Sequence, residues 1–155
     1  MPVALLGAGL ATAALAGDGR PFPQAELTLE TATGRHLLRL ELACTPDARA
    51  HGLMGREEVP EGTGMLFDFG TTRRVAMWMK DTPHPLDMLF LDAAGRVRFV
   101  ATDTVPFSLR TIEAPMPVRY VLELPAGSVA RLGIAAGSGR LRLAGGRSPC
   151  RDATP

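Results

Sequence analysis

Alternation between apolar and polar positions dominates the chain after residue 24. In "AELTLET", Leu27 and Leu29 fall on one side. In "HLLRLELA", Leu38, Leu40 and Leu42 oppose Arg39 and Glu41. A period of two marks half-buried strands, and the Gly-bearing "TATGR" between them reads as a hairpin turn. "GMLFDFG", "RRVAMWMKD" and "VRYVLELPAG" predict further short strands, as does "GRLRLA" near the end. "LDMLFLDAAGRVRFVATDT" is a second hairpin, turning at Ala93-Ala94-Gly95. "PFSLRTIEAPMP" is a Pro-punctuated loop, and "SVARLGI" has the length of one helical turn.

A helix is predicted near residues 46–54. Thr45 is a natural N-cap, Pro46 suits the first helical position, and Asp47 complements the positive end of the helix dipole. Ala50, Leu53 and Met54 share one face, and Gly55 is placed as the C-cap. Many short strands with Gly/Pro turns, without repeated βαβ alternation, predict a mostly β fold. It is a compact antiparallel β-sandwich or barrel-like domain with one short helix.

The two ends read differently. Val3 to Ala16 is an apolar run closing on Ala14-Leu15-Ala16, the form of a signal peptide over residues 1–16 with a small-residue cleavage site. The run is too short for a membrane span, which needs about 20 residues. Residue 17 is Gly rather than Cys, so no lipid attachment site follows. Residues 17–24 are then a linker, 25–144 a single β-rich domain, and 145–155 ("GGRSPCRDATP") a flexible C-terminal tail. The expectation is a periplasmic or secreted protein with no stable membrane anchor after processing.

Composition narrows the reading. At 155 residues, 46% hydrophobic and 21% charged, the chain is one ordinary globular domain. A chain of this size buries roughly 70% of its unfolded surface. Seventeen basic against sixteen acidic residues, with no long run of like charge, leave no electrostatic footprint for nucleic acid. Lys80 is the only lysine among those seventeen. Cys44 and Cys150 are the only cysteines and a disulfide candidate in an oxidising compartment. Such a bridge would close about 100 residues and stabilise by about 4–5 kcal/mol in the chain-entropy account. Two free thiols, with Cys44 packed as a small hydrophobe, are the other reading.

Three blocks, "RAHGLMGREEVPEGTGMLFDFG", "WMKDTPHPLDMLFLDAAGRV" and "RYVLELPAGSVARLGIAAG", resemble in order the bacterial and archaeal family called domain of unknown function 192. The resemblance runs from about Leu40 to Gly137. It implies a compact β-sandwich-like domain, commonly exported, and no established activity. The chain departs from the family where Asp81 replaces the usual Asn. Ser138 stands where the family usually has an acidic residue.

Candidate chemistry gathers in "AMWMKDTPHPLDMLFLD". Alternation sends Met77 and Met79 one way and Trp78 and Lys80 the other, which suits a cation–π contact between the latter two. Pro83 and Pro85 fix the turn that delivers Asp87 to its strand. Asp87 and Glu123, each inside an apolar run, need partners if buried, and Arg56 and Lys80 are the candidates. The group Arg56, Lys80, Asp87 and Glu123, lined by Met54, Met65 and Trp78, reads either as ion pairs fixing strand joints or as a site for a small polar or anionic molecule. A Cu(I) site from His51, Met54, Met77 and Met79 is an alternative, because thioethers select that ion. A hydrolase using Asp87 or Glu123 as general base is another. The chain contains no G-x-S-x-G, H-E-x-x-H or P-loop pattern. The functional expectation is therefore a monomeric, non-catalytic small-ligand-binding or envelope-associated structural domain, with no cofactor.

Overall fold

The computed structural model describes residues 13–153. Most of the predicted signal segment, residues 1–12, lies outside the described residues. The order of elements is β1 (Gln24–Thr31), β2 (Gly34–Ala43), α1 (Pro46–His51), β3 (Thr63–Arg73), β4 (Ala76–Met77), β5 (Leu86–Leu91), β6 (Val97–Ala101), β7 (Ile112–Glu113), β8 (Val118–Pro125), α2 (Ser128–Arg131) and β9 (Arg140–Leu141). Two 3-10 turns, Ala144–Gly146 and Pro149–Arg151, end the described chain.

Seven strands form one sheet in the order β6-β5-β8-β3-β2-β1-β9. Beyond β9 the sheet curls back on itself. Arg96 bridges to Arg140, and Leu141 donates its N–H to Gly95 O at 2.8 Å. The result is a nearly closed, mostly β barrel. One pairing departs from the antiparallel expectation: β2 and β3 run parallel, Arg39 opposite Thr63 through Ala43 opposite Phe67. The segment between them, carrying α1, is the crossover that parallel neighbours require.

The pleat divides the apolar residues into two cores. Leu29, Leu38, Leu40, Leu66, Leu89, Leu122, Leu141 and Tyr120 fill the inner face. The outer face carries Met65, Phe67, Met88, Phe90 and Val121, covered by Phe22, Leu53, Val75, Met77 and Met79. Strands β5 and β8 are buried on both faces, so their sequences are apolar almost throughout.

Local chemistry explains the boundaries. The Thr45 side chain accepts from Ala48 N, capping α1. The helix ends at Gly52 (φ +52°) and so is shorter than the predicted 46–54. A Cβ at Gly52 would sit 3.1 Å from the Phe67 ring, so glycine permits both the left-handed turn and the close approach. Of "RRVAMWMKD", Arg73 ends β3 and only Ala76–Met77 forms a further strand, paired with Ile112–Glu113 inside the predicted loop.

Both expected tethers are tied down instead. In the 17–24 linker, Ala16 N donates to Arg20 O at 2.7 Å, and the turn delivers Phe22 into the outer core at 4% exposure. In the 145–155 tail, Cys150 is disulfide-bonded to Cys44 with Cα atoms 5.5 Å apart. Ser148 is buried there, its hydroxyl donating to the Asp68 carboxylate. Among the described residues no helix is long and apolar enough to cross a membrane.

Candidate functional site

The fold disperses the polar group read from the sequence. Asp87, 1% exposed, pairs with neither Arg56 nor Lys80. Its carboxylate accepts from Asp103 N at 2.9 Å and from Val129 N at 2.8 Å, in the first turn of α2. Arg56 meets Glu41 instead, Nη2 to Oε2 at 2.6 Å, with its guanidinium 5.6 Å from the Phe22 ring centre. That nitrogen is buried and has no aligned hydrogen bond, so charge holds the pair. Lys80 is exposed and lies 5.4 Å over the Trp78 ring, itself 45% exposed. Met54 is half-buried just beyond α1.

Glu123 stands alone. It faces the outer core between Met65 on β3 and Met88 on β5, its direct cross-strand partners. At 4% exposure it has no hydrogen bond or ion pair among the described residues. Burial pushes its carboxyl up to about 8, so it is neutral at pH 7. Asp87 and Glu123 point to opposite faces of the sheet, so the two carboxylates do not meet for acid–base work.

The copper donors have separate surroundings too. The His51 ring lies 6.3 Å from Phe22, and the Met79 sulfur accepts from the Thr104 hydroxyl at 3.1 Å. Met77 borders a cleft between α1 and β4. Among the described residues no three His, Cys, Asp or Glu side chains cluster as a metal site.

Asp68 is the best-satisfied acid of the molecule, and the sequence reading passed over it. It accepts from Arg119 Nε at 3.2 Å, from Gly70 N at 2.8 Å and from the Ser148 hydroxyl. Burial alone would raise this carboxyl. The hydrogen bonds from Arg119, Ser148 and Gly70, with the Arg119 charge, hold it below the usual carboxylate range. An acid inside the apolar "GMLFDFG" was the available signal, the same one that singled out Asp87 and Glu123.

Beside Asp68 lies a cleft of about 370 Å³ between α1, the end of β3 and β4. Arg49 and Ala50 come from α1, Phe69 and Arg73 from β3, and Met77 and Trp78 from the β4 segment. The two guanidinium groups stack on the same ring: Arg49 lies 5.4 Å and Arg73 5.2 Å from the Phe69 centroid. Arg49 donates only to main-chain oxygens, Cys44 O at 3.0 Å and Asp68 O at 2.9 Å. Arg73 has no hydrogen bond or ion pair among the described residues. Burial, and then the nearby Arg73 cation, push Arg49 below its ordinary value, against the opposing pull of Asp68. Two cations therefore share one aromatic wall, with the Asp68 carboxylate near Arg49 and no ion pair on Arg73 among the described residues. Of these residues the sequence reading had named Trp78 and Met77; the arginines lay too far apart in the chain to be paired.

A family model for domain of unknown function 192 (DUF192, uncharacterized ACR) matches residues 28–141. The chain belongs to this family. A solved structure from Sinorhizobium meliloti 1021, provisionally assigned as a transcription regulator, is 48% identical with a TM-score of 0.77. The match covers 80% of this chain and 96% of that one. A protein of unknown function from Novosphingobium aromaticivorans DSM 12444 is 32% identical with a TM-score of 0.76, over 86% and 94% of the two chains. No curated protein matches the chain. The DUF192 match contains the cleft residues Arg49, Phe69, Arg73 and Trp78 but stops short of Ser148 and Cys150. The tail that buttresses Asp68 thus lies beyond the matched family segment.

The turn after Lys80 needs a particular backbone shape. Asp81 holds a left-handed φ of +51°, and its carbonyl accepts from Gly55 N at 2.8 Å. Asn and Asp are the non-glycine residues that best tolerate this conformation, so the position selects for backbone shape.

Proposed function

We propose that this DUF192 protein is an exported, non-catalytic domain that binds a small anionic molecule in the Arg49–Arg73–Trp78 cleft. One observation carries the reading: two guanidinium groups stack on Phe69, and Arg73 has no carboxylate partner among the described residues. Guanidinium is the natural donor to carboxylate and phosphate oxygens, and concave sites combine apolar walls with a few such groups. Export is supported by the N-terminal apolar run and by the Cys44–Cys150 bridge, which suits an oxidising compartment. The separation of Asp87 from Glu123 favours binding over hydrolysis.

Trp78 is the only tryptophan in the chain and borders the cleft, so its emission reports on occupancy. Titration with butyrate, phosphate and sulfate should give a saturable change for at least one anion. Arg73→Ala should abolish it while leaving the melting temperature unchanged, because Arg73 is exposed. A flat response to all three anions overturns the binding reading. Recovery of the mature protein in the cytoplasmic fraction overturns export.

A further inference from the structure

Trp78 borders the cleft on one side and a second surface on the other. Beyond β4 and β7, the Trp78–Thr82 segment and the 103–111 loop continue side by side as a ribbon. Met79 N donates to Ser108 O at 3.0 Å, and Phe107 N donates to Thr82 O at 3.1 Å. On the Trp78 side, alternation buries Met77 and Met79 and turns Trp78 and Lys80 outward. On the loop side, Val105, Phe107 and Leu109 are 69%, 61% and 65% exposed. Three large apolar side chains at every second position in water are costly, and patches of this kind mark binding surfaces. The backbone adds a second sign. Phe107 holds a φ of +60°, a strained conformation for a bulky residue, of the sort that persists at functional segments.

Charge is distributed unevenly between cleft and ribbon. Along the ribbon, Asp81, Asp103 and Glu113 offset Lys80 and Arg110. At the cleft end, Arg73 has no ion pair among the described residues and stands beside Arg49 on the Phe69 ring. A polar, cationic head site thus opens onto an apolar strip through one aromatic ring, Trp78, that belongs to both.

Building on the reading of the cleft as an anion site, we infer that its ligand is a single-chain anionic amphiphile. The head lies between Arg49 and Arg73, and the aliphatic chain lies over Trp78, Leu109 and Phe107. The ribbon's three acids against two bases give an anionic bilayer little to attract it, so the ligand class is a free long-chain carboxylate or its equivalent.

The test compares laurate, below its micelle concentration, with butyrate and with dodecyltrimethylammonium, followed by Trp78 emission. Laurate should bind at least about tenfold more tightly than butyrate, since each methylene removed from water adds affinity. It should also shift the Trp78 emission to the blue. Phe107→Ser with Leu109→Ser, both exposed positions, should bring laurate down to the affinity of butyrate and leave butyrate unchanged. Arg73→Ala should weaken both. Equal binding of laurate and butyrate overturns the amphiphile inference and leaves the anion site standing; no binding of either removes both. Equally tight binding of the cationic amphiphile overturns the head assignment. So does uptake onto phosphatidylglycerol vesicles in preference to free laurate.

Discussion

Asp87 faces the inner side of the barrel wall and Glu123 the outer, although they sit on neighbouring strands one register step apart. Asp87 pairs with Leu124 and Glu123 with Met88 across the same β5–β8 ladder. Each carboxyl therefore answers to a different environment, and the consequences can be measured separately.

Asp87 is the acceptor for two main-chain N–H groups, Asp103 and Val129, and so links the start of β5 to α2. Asp87→Ala leaves both part-buried donors unmatched. Its expected cost is about 2–4 kcal/mol in urea denaturation, summed from two lost charge-assisted hydrogen bonds. Amide exchange at Val129 should speed up before the rest of the sheet responds. A variant as stable as the parent would contradict this assignment.

Glu123 gives the protein a stability that declines with pH. In the unfolded chain its carboxyl titrates near 4.5, and in the fold near 8. Below 4.5 both states hold the proton and stability is full. Between the two values the unfolded chain releases its proton and the native state does not. Stability then falls by about 1.4 kcal/mol per pH unit and levels off above pH 8. The total is on the order of 5 kcal/mol. Glu123→Gln cannot titrate, so the difference between parent and variant should grow steadily across that window. A constant difference between pH 5 and 9 would falsify the neutral, buried carboxyl.

Asp68 works in the opposite sense. Its hydrogen bonds and the Arg119 charge keep it ionised, so its contribution is present above its ordinary value of 3.8 and is lost as pH falls through the lowered one. Arg119→Ala removes the cation from Asp68 but leaves its bonds from Gly70 N and Ser148, and Arg119 is itself 28% exposed, so the expected cost is about 1–3 kcal/mol. Thermal melts at pH 7 measure this directly, and a loss below about 1 kcal/mol would place the pair among surface ion pairs.

The Cys44–Cys150 bridge spans 106 residues of sequence. Cys150→Ser, or reduction, should lower stability by about 4–5 kcal/mol in the chain-entropy account. It should also loosen Ser148 from Asp68. Identical melting with and without reductant would show that the two sulfurs are not joined.

The sequence exposed the strands better than their partners. Leu27 to Leu42 alternate cleanly because one face of β1 and β2 is wet, whereas β5 and β8 lose the alternation because both faces are buried. The parallel β2–β3 ladder was invisible because a six-residue helix in the crossover leaves no repeated βαβ signature. Pairing of charges failed for a related reason. Arg56 meets Glu41 rather than Asp87 because that ladder sets Glu41 beside Met65, a relation no local spacing encodes. The Trp78–Lys80 contact, fixed within three residues, was legible. The Arg49–Phe69–Arg73 wall, assembled from a helix and a strand end, was not.

The burial of β8 on both faces creates a problem of address that hydrophobicity cannot solve. If β8 slipped by one residue, Leu122 and Leu124 would exchange places with Val121 and Glu123, and an all-apolar strand would fit almost as well either way. Glu123 makes the two faces unequal, because in the slipped register its carboxyl would enter the leucine-filled barrel. Asp87 marks the adjoining strand in the opposite sense, needing the α2 donors that exist only on the inner side. Two acids, one per strand and facing opposite ways, label inside and outside for the part of the sheet where apolar residues carry no such label.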